Sequence, residues 1–522
     1  MRKIVPHKAT AWAILAGIAY VLCFPSYDLP LLSVLFLPCL IFSLRALESR
    51  KQAWRLGFLL SAMIAWGGFH WIIYVAQNFG QLPLPGAIGL MLLYCLVAAP
   101  QLLAFFVLGE RLRFRVEKLP LFFRPLFWAA FYVGFEYLAR FPKIFPEHLG
   151  NTLLHSLPIA QSASLGGVSL LSFLPLWFGA SLAYLRIQGL KAWPALAASA
   201  ILPLLLFVWG GQEIERVNAQ PMQELRVGFV QHNMDDVEKL ALLSSSREAV
   251  DSVVRKLLEH TRNLAAQKPD LILWPETSYP VSFPARTDSQ SIGSFSKAYA
   301  DMVKETVRAA QVPLLFGGYE STGRQDYNSA ILLGPSGEPL SSYRKVVLLL
   351  FGEYIPFSDW FPMIKELNPQ MGDFARGPGP EPVLFPWKNG LQLGINICYE
   401  AILPEFMRGM AKNGARLFLN ITKDSWFGNT FEPWQHFQLS ALRSIEHQIP
   451  MVRITNTGLS GIVSATGETK LLSPPFHTAV EIATVKIPVS ITPTLYTRFG
   501  EWFAISCILL TIALLFWKRS AV

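Results

Sequence analysis

At 522 residues, 52% hydrophobic and only 16% charged, the chain is too apolar for an ordinary soluble enzyme and long enough for more than one domain. Its formal charge of +9 would suit nucleic acid only if the surplus lay on a folded surface. Residues 211–499 hold 27 basic against 29 acidic side chains, a net of −2, so the surplus belongs to the apolar remainder and argues against a nucleic-acid partner.

Seven apolar segments crowd the first 210 residues, at about 9–24, 29–44, 56–76, 84–109, 121–139, 165–185 and 192–210, and an eighth covers 502–517. Several reach the ~20 residues that cross a bilayer. Basic clusters at 2–8, 45–55, 111–124, 186–191 and 518–519 fall at alternate ends of these segments, while the intervening short loops offer Arg140 and Lys143. Cytoplasmic loops carry the excess of Lys and Arg. The pattern therefore predicts eight spans with both termini cytoplasmic, and 211–499 across the membrane, which is the periplasm of a Gram-negative cell. No small-residue cleavage site follows the first segment, so it reads as an uncleaved span. The expected organisation is a membrane domain of seven transmembrane helices over 1–210, a folded domain over 211–499, and a last span with a cytoplasmic tail over 500–522. Cys23, Cys39, Cys95 and Cys507 read as small buried hydrophobes within spans. Glu136 and Arg140, four residues apart, are expected to pair, and Pro100, Pro175 and Pro194 to kink their helices. With no row of ionisable side chains to line a path, an anchor or lipid-handling platform is a stronger reading than a transporter.

From 225 the pattern changes to short strands alternating with amphipathic helices. LRVGFVQ (225–231), DLILWPE (270–276), VPLLFGGY (312–319), YNSAILLG (327–334), LQLGINIC (391–398), RLFLNITKD (416–424), MVRITNTG (451–458) and SGIVSATG (460–467) read as strands, with helices over 245–266, 295–310, 404–413 and 433–448. Pro335-Ser336-Gly337-Glu338 and Ala465-Thr466-Gly467-Glu468 are turn chemistry. The alternation predicts an α/β sandwich.

Three functional groups sit at ends of these apolar runs: Glu276 in WPET, Lys345 in YRK and Cys398 in NICYE. Singly, each has a plain reading as a surface carboxylate, a solvated amine or a buried thiol. Jointly they suggest a crevice at a sheet edge. Cys398 is the only cysteine between Trp209 and Trp502, so no partner for a disulfide lies within its domain. His436, Glu446 and His447 lack the spacing of a metal site, no glycine loop cradles a phosphate, and neither metal nor cofactor is expected.

Trp274-Pro275-Glu276, Tyr343-Arg344-Lys345, Phe351-Gly352-Glu353-Tyr354 and Asn396-Ile397-Cys398-Tyr399-Glu400 resemble the carbon–nitrogen hydrolase (nitrilase) superfamily. Spans on either side of such a domain, with Asp424-Ser425-Trp426-Phe427-Gly428 and the series His436, Arg443, Arg453, Asn456, Gly458, are similar to its apolipoprotein N-acyltransferase family. The likeness covers essentially the whole chain. It implies a multi-span α-helical membrane domain joined to a four-layer αββα sandwich, Cys398 as nucleophile, Glu276 as its base and Lys345 as stabiliser of the oxyanion, with Glu353, Tyr399 and Glu400 in support. It further implies a phospholipid acyl donor, typically phosphatidylethanolamine, a thioester on Cys398, transfer to the α-amine of a diacylglyceryl cysteine on an apolipoprotein, an inner-membrane location and a monomer.

The apolar stretch after Lys345, with Phe357, Trp360 and Phe361, is then expected to form an arm bordering the acyl-chain entrance. Members commonly open this domain with Gln-Gly-Asn and a tryptophan soon after. This chain has Gln231-His232-Asn233 and no tryptophan between Trp209 and Trp274, which alters the substrate entrance, with His232 either replacing a substrate contact there or serving as a loop residue. Two other readings use the same residues: a membrane-tethered amidase in which water resolves the acyl-enzyme, and a non-catalytic binding protein on a degenerate domain.

Overall fold

A computed structural model describes residues 7–24, 27–140, 148–234, 247–286, 293–350, 352–354 and 374–517. The chain separates into two compact units, residues 1–218 with 493–522, and residues 219–492. These boundaries differ from those expected at 210 and 500. The last helix before the folded domain, Trp193–Asn218, continues through the polar stretch 212–218, and the short helix Leu495–Phe499 belongs with the apolar helices. Hydropathy marks where a helix loses its apolar face, not where it ends.

A helix occupies each of the eight apolar segments: His7–Cys23, Ser33–Arg45, Arg50–Phe69 followed by Ile72–Asn78, Leu84–Val97 followed by Pro100–Val116, Phe123–Leu138, Ala163–Gln188, Trp193–Asn218 and Trp502–Leu515. Among the described residues, the run Ala163–Asn218 is long and apolar enough to cross a membrane, and each bent pair qualifies if counted as one span. Several other helices are short. The first and last, of 17 and 14 residues, extend about 21–26 Å against a hydrocarbon core of about 30 Å.

The kinks differ in part from expectation. Pro100 does mark a 44° bend, because it forces Ala99 out of the helical region to φ −128°, ψ 59°. A sharper bend of 62° separates Arg50–Phe69 from Ile72–Asn78 just after Gly67-Gly68, with no proline there. Pro175 lies inside its helix, whose break falls at Gly166-Gly167 instead. Gly167 adopts φ +67°, and a Cβ there would lie 2.5 Å from the Tyr496 ring, so both backbone and space require glycine. Glu136 turns to the Leu149 N–H (2.8 Å) and His148 (3.5 Å), while Arg140 lies 3.8 Å from Glu501 and donates to the Tyr137 hydroxyl.

Among the described residues, the second unit has twelve strands: β1 Met222–Gln231, β2 Leu271–Leu273, β3 Leu314–Ser321, β4 Asp326–Leu333, β5 Pro339–Arg344, β6 Val383–Phe385, β7 Leu391–Ile397, β8 Leu417–Thr422, β9 Met451–Thr455, β10 Ser460–Val463, β11 Thr469–Ser473 and β12 Ala479–Pro488. They form two six-stranded sheets, ordered β12-β1-β2-β3-β4-β5 and β11-β10-β9-β8-β7-β6. Each has a parallel centre, β1-β2-β3 and β7-β8-β9, flanked by antiparallel strands. Parallel neighbours need crossovers. Helices Arg247–Ala265 and Ser294–Ala310 make them in the first sheet, and Pro404–Lys412 and Glu432–His447 in the second.

Val250, Val253, Val254 and Leu257 of the first helix and Val303 and Val307 of the next pack on Ile272, Leu314, Phe316 and Ile331, covering the outer face of the first sheet. The inner faces meet through polar contacts as well as apolar ones. Gln231 on β1 accepts from Thr455 on β9 and Ser460 on β10, for example. The result is the αββα sandwich expected from the resemblance.

Candidate active site

The stretch 270–276 pairs as a strand only over Leu271–Leu273. Pro275 has no N–H to give a ladder, so Trp274-Pro275-Glu276 leaves the sheet and carries the Glu276 carboxyl into the interior. β3 passes this segment closely. A Cβ on Gly317 would lie 2.5 Å from both Glu276 Cα and the Pro275 carbonyl oxygen, so only glycine lets the two chains approach.

Lys345 follows β5 and is 1% exposed. Its ammonium lies 3.2 Å from Glu276 Oε1, 2.9 Å from Glu353 Oε1 and 2.8 Å from Glu353 Oε2. Asn328 on β4 completes the group, donating from Nδ2 to Glu276 Oε1 (2.8 Å) and Glu353 Oε1 (2.6 Å), while its carbonyl accepts the Lys345 N–H at 2.9 Å. The remaining oxygens also have donors: the Lys423 N–H reaches Glu276 Oε2 and the Leu349 N–H reaches Glu353 Oε2, each at 2.9 Å. Asn328 escaped the sequence reading, although a lone amide in a buried apolar strand is a signal of an internal polar partner.

Cys398 stands where β7 ends, at φ +56°. A left-handed backbone is costly for any residue with a Cβ and persists only where the surroundings fix it. Burial pushes the thiol well above its ordinary value, the Glu276 charge adds to this, Lys345 opposes it, and Glu353 and Asp424 push it up further. The thiol therefore rests protonated. Burial, joined by the Glu353 charge, raises Glu276 against the opposing pull of Lys345 and Asn328, so its carboxylate is a stronger base than a solvated one. Burial works against the charge of Lys345, yet Glu276 and Glu353 outweigh it and hold the ammonium well above its usual range. The group thus combines a protonated thiol, a basic carboxylate and a fixed cation.

Glu400 is fully buried and accepts from the Val346 N–H (2.7 Å), the Val347 N–H (2.8 Å), the Ile397 N–H (2.8 Å) and the Tyr343 hydroxyl (2.9 Å). It ties the loop after Lys345 to the strand end before Cys398, a wider role than ordering the turn after the nucleophile. Burial pushes this carboxyl up to about 7, with Lys345 and those N–H groups opposing. Tyr399 is buried beside the nucleophile. His232 is 1% exposed at the end of β1, where its Nδ1 accepts the Met234 N–H and its carbonyl the Thr478 hydroxyl. Phe357, Trp360 and Phe361 lie outside the described residues.

A second buried polar cluster lies behind Cys398 on the neighbouring strands. Arg453 on β9 donates to Asp424 Oδ2 at 2.9 Å and to Asn420 Oδ1 at 2.5 Å, and Asn420 on β8 donates in turn to the Cys398 carbonyl at 3.1 Å. His436 Nδ1 stands 3.3 Å from Asp424 and 3.5 Å from Glu432. Asp424, Glu432 and His436 are the one group among the described residues whose donor atoms converge closely enough to hold a metal ion. Charge argues against one. Arg453 already neutralises Asp424 at 2.9 Å, and its buried guanidinium would repel a dication placed beside it.

The carbon–nitrogen hydrolase family profile matches residues 226–492, and the apolipoprotein N-acyltransferase N-terminal domain profile matches residues 16–181. Apolipoprotein N-acyltransferase of Bdellovibrio bacteriovorus is 31% identical over 95% of this chain and 92% of its own length. That of Geobacter metallireducens is 31% identical over 97% and 94%, and that of Pseudomonas putida 31% over 95% and 94%. Among solved structures, an amidase from Nesterenkonia sp. matches 54% of this chain and 95% of its own at 20% identity, with a TM-score of 0.36. On its likeness to the curated relatives along nearly its whole length, the chain belongs to the apolipoprotein N-acyltransferase family.

Proposed function

We propose that the protein transfers a fatty acyl chain from a membrane phospholipid to the N-terminal α-amine of diacylglyceryl-cysteine apolipoproteins, through a thioester on Cys398. The observation that carries this reading is Cys398, held at φ +56° on a strand end in the same buried site as Glu276 and Lys345, in a chain of this family. Glu276 takes the thiol proton as sulfur attacks the donor ester. The site's charge then changes only in position, which avoids placing a third anion beside Glu276 and Glu353. Negative charge developing on the carbonyl oxygen is met by the Lys345 ammonium and by the backbone N–H of Tyr399. Collapse breaks the ester bond, and the departing lysophospholipid oxygen takes the proton back from Glu276. The acceptor amine then attacks the thioester, gives its proton to Glu276, and the Cys398 sulfur leaves as thiol.

Phosphatidylethanolamine is the donor this reading favours. Both substrates are anchored in lipid, so a catalytic domain tethered by membrane helices avoids extracting either into water. The domain faces the periplasm, the termini face the cytoplasm as the distribution of basic residues indicates, and the protein acts as a monomer in the inner membrane. Family membership argues against the amidase reading, in which water takes the place of the amine.

The test is to incubate purified protein in detergent with phosphatidylethanolamine and a diacylglyceryl peptide bearing a free α-amine. The expected product is N-acyl peptide with stoichiometric lysophospholipid, and none of either with Cys398→Ala. Free fatty acid in place of N-acyl peptide would move the protein to the hydrolases.

A further inference from the structure

Cys398 and Tyr399 share one peptide group. Its carbonyl faces the second sheet and accepts from Asn420 Nδ2 at 3.1 Å. Because a trans peptide is planar, fixing the direction of that carbonyl fixes the direction of the Tyr399 N–H on the opposite edge. The orientation of the Asn420 amide is itself determined. Its Oδ1 accepts from the Arg453 guanidinium at 2.5 Å, so Nδ2 must face Asn396 Oδ1 (2.8 Å) and the Cys398 carbonyl. Arg453 is held by Asp424, and the Asp424 N–H is held by Asn456 Oδ1. Every side chain in this series is 0–1% exposed.

We propose that Asn420 and Arg453 are positioning residues for the oxyanion site, orienting and polarising the Cys398–Tyr399 peptide so that its N–H is presented to the tetrahedral intermediate. The inference rests on the thioester reading of Cys398 and adds to it a source for a second donor besides Lys345. A cation at the head of a hydrogen-bonded series draws electron density along it, and a peptide whose oxygen is engaged this way is a stronger donor at nitrogen. The same grip helps to hold Cys398 in its left-handed backbone. Ile397 on the preceding side is held separately, by Glu400 at 2.8 Å. The Cys398–Tyr399 peptide and the Asn396–Ile397 peptide, one residue back from the nucleophile, are therefore held by different groups.

Two reactions of the same thiol separate this role from general support of the fold. Acylation by an ester passes through an oxyanion, whereas alkylation by iodoacetamide is a direct displacement that forms none. The variants are Asn420→Ala and Asn420→Thr, the second a strand-compatible replacement whose hydroxyl ends one bond short of the Cys398 carbonyl. Single-turnover acylation from phosphatidylethanolamine, followed by intact mass, is expected to fall at least about tenfold in either variant that retains a cooperative melting transition. The phospholipid concentration at half-maximal rate and the rate of iodoacetamide alkylation are expected to stay within about twofold of wild type.

Acylation that persists at the wild-type rate overturns the proposal. So does a parallel fall in alkylation, which would mean that the strand end has simply lost its shape. Loss of cooperative melting in both variants would do the same, by assigning Asn420 to the fold. A wild-type protein that alkylates but never acylates overturns the thioester reading itself, a result distinguishable from all of these.

Discussion

Glu276→Gln is expected to slow acylation of Cys398 by roughly 10²–10⁴-fold, the contribution of a positioned general base. The substitution keeps shape and removes basicity. In the wild type both carboxylate oxygens accept hydrogen bonds, Oε1 from Asn328 and Lys345 and Oε2 from the Lys423 N–H. Whichever way the glutamine amide turns, its NH₂ faces a donor, at a cost of about 1–3 kcal/mol. A modest fall in melting temperature should accompany a far larger fall in rate. The pH dependence carries the sign. Burial raises the Glu276 carboxyl, so the wild-type rate should climb with pH through a limb above the ordinary carboxylate range, as the base ionises. That limb should vanish in the variant. Single-turnover rates between pH 5 and 8 measure it, and a variant that keeps the limb, or acylates within about tenfold of wild type, would contradict the assignment of Glu276 as base.

Lys345→Met is expected to damage both stability and chemistry. The ammonium is the cation shared by Glu276 and Glu353, both buried, and removing one partner of such a set costs about 3–5 kcal/mol. With the cation gone, the carboxyl pair is expected to retain a proton, which means a folded pKa raised above the unfolded one. Stability so linked is present at low pH and lost as pH rises through the raised value. The melting deficit relative to wild type should therefore be larger at pH 8 than at pH 5. Acylation should fall by about 10²–10³-fold at either pH, because the oxyanion loses its cation. Equal deficits at the two pH values would show that Lys345 does not hold the carboxyl pair in its charged state.

Much of this architecture was legible because apolar runs ending in a functional group are unusual. Glu276 and Cys398 each follow such a run and Lys345 follows a hairpin strand, and the structure places Glu276 three residues past β2, Lys345 directly after β5 and Cys398 directly after β7. The four helices expected in the folded domain fall within two residues of their expected limits, since their amphipathic period is strong. β12 was missed although Ala483, Val485 and Ile487 alternate with Thr484 and Lys486, a pattern that a reading centred on continuous apolar runs overlooks. Asn328 escapes such a reading, and Glu400 reaches further than the turn after the nucleophile, for another reason. Their partners lie far away in the chain, Asn328 meeting Glu276 52 residues away and Glu400 meeting Val346 54 residues away, and no local pattern encodes a contact of that separation. The same holds for Asn420, Arg453 and Asp424, which meet because β8 and β9 are neighbours in the sheet. In the first unit, hydropathy runs straight through His70-Trp71 because the residues on both sides are apolar. The 62° bend there follows Gly67-Gly68, a pair that hydropathy does not register as a break.

The measurement that bears most directly on the central claim is the intact mass of the protein after exposure to phosphatidylethanolamine without acceptor, followed by peptide mapping. A single fatty-acyl increment on Cys398, sensitive to hydroxylamine and discharged when diacylglyceryl peptide is added, is the result this account predicts. A folded protein that stays at its unmodified mass, or carries the acyl group on another residue, would contradict it.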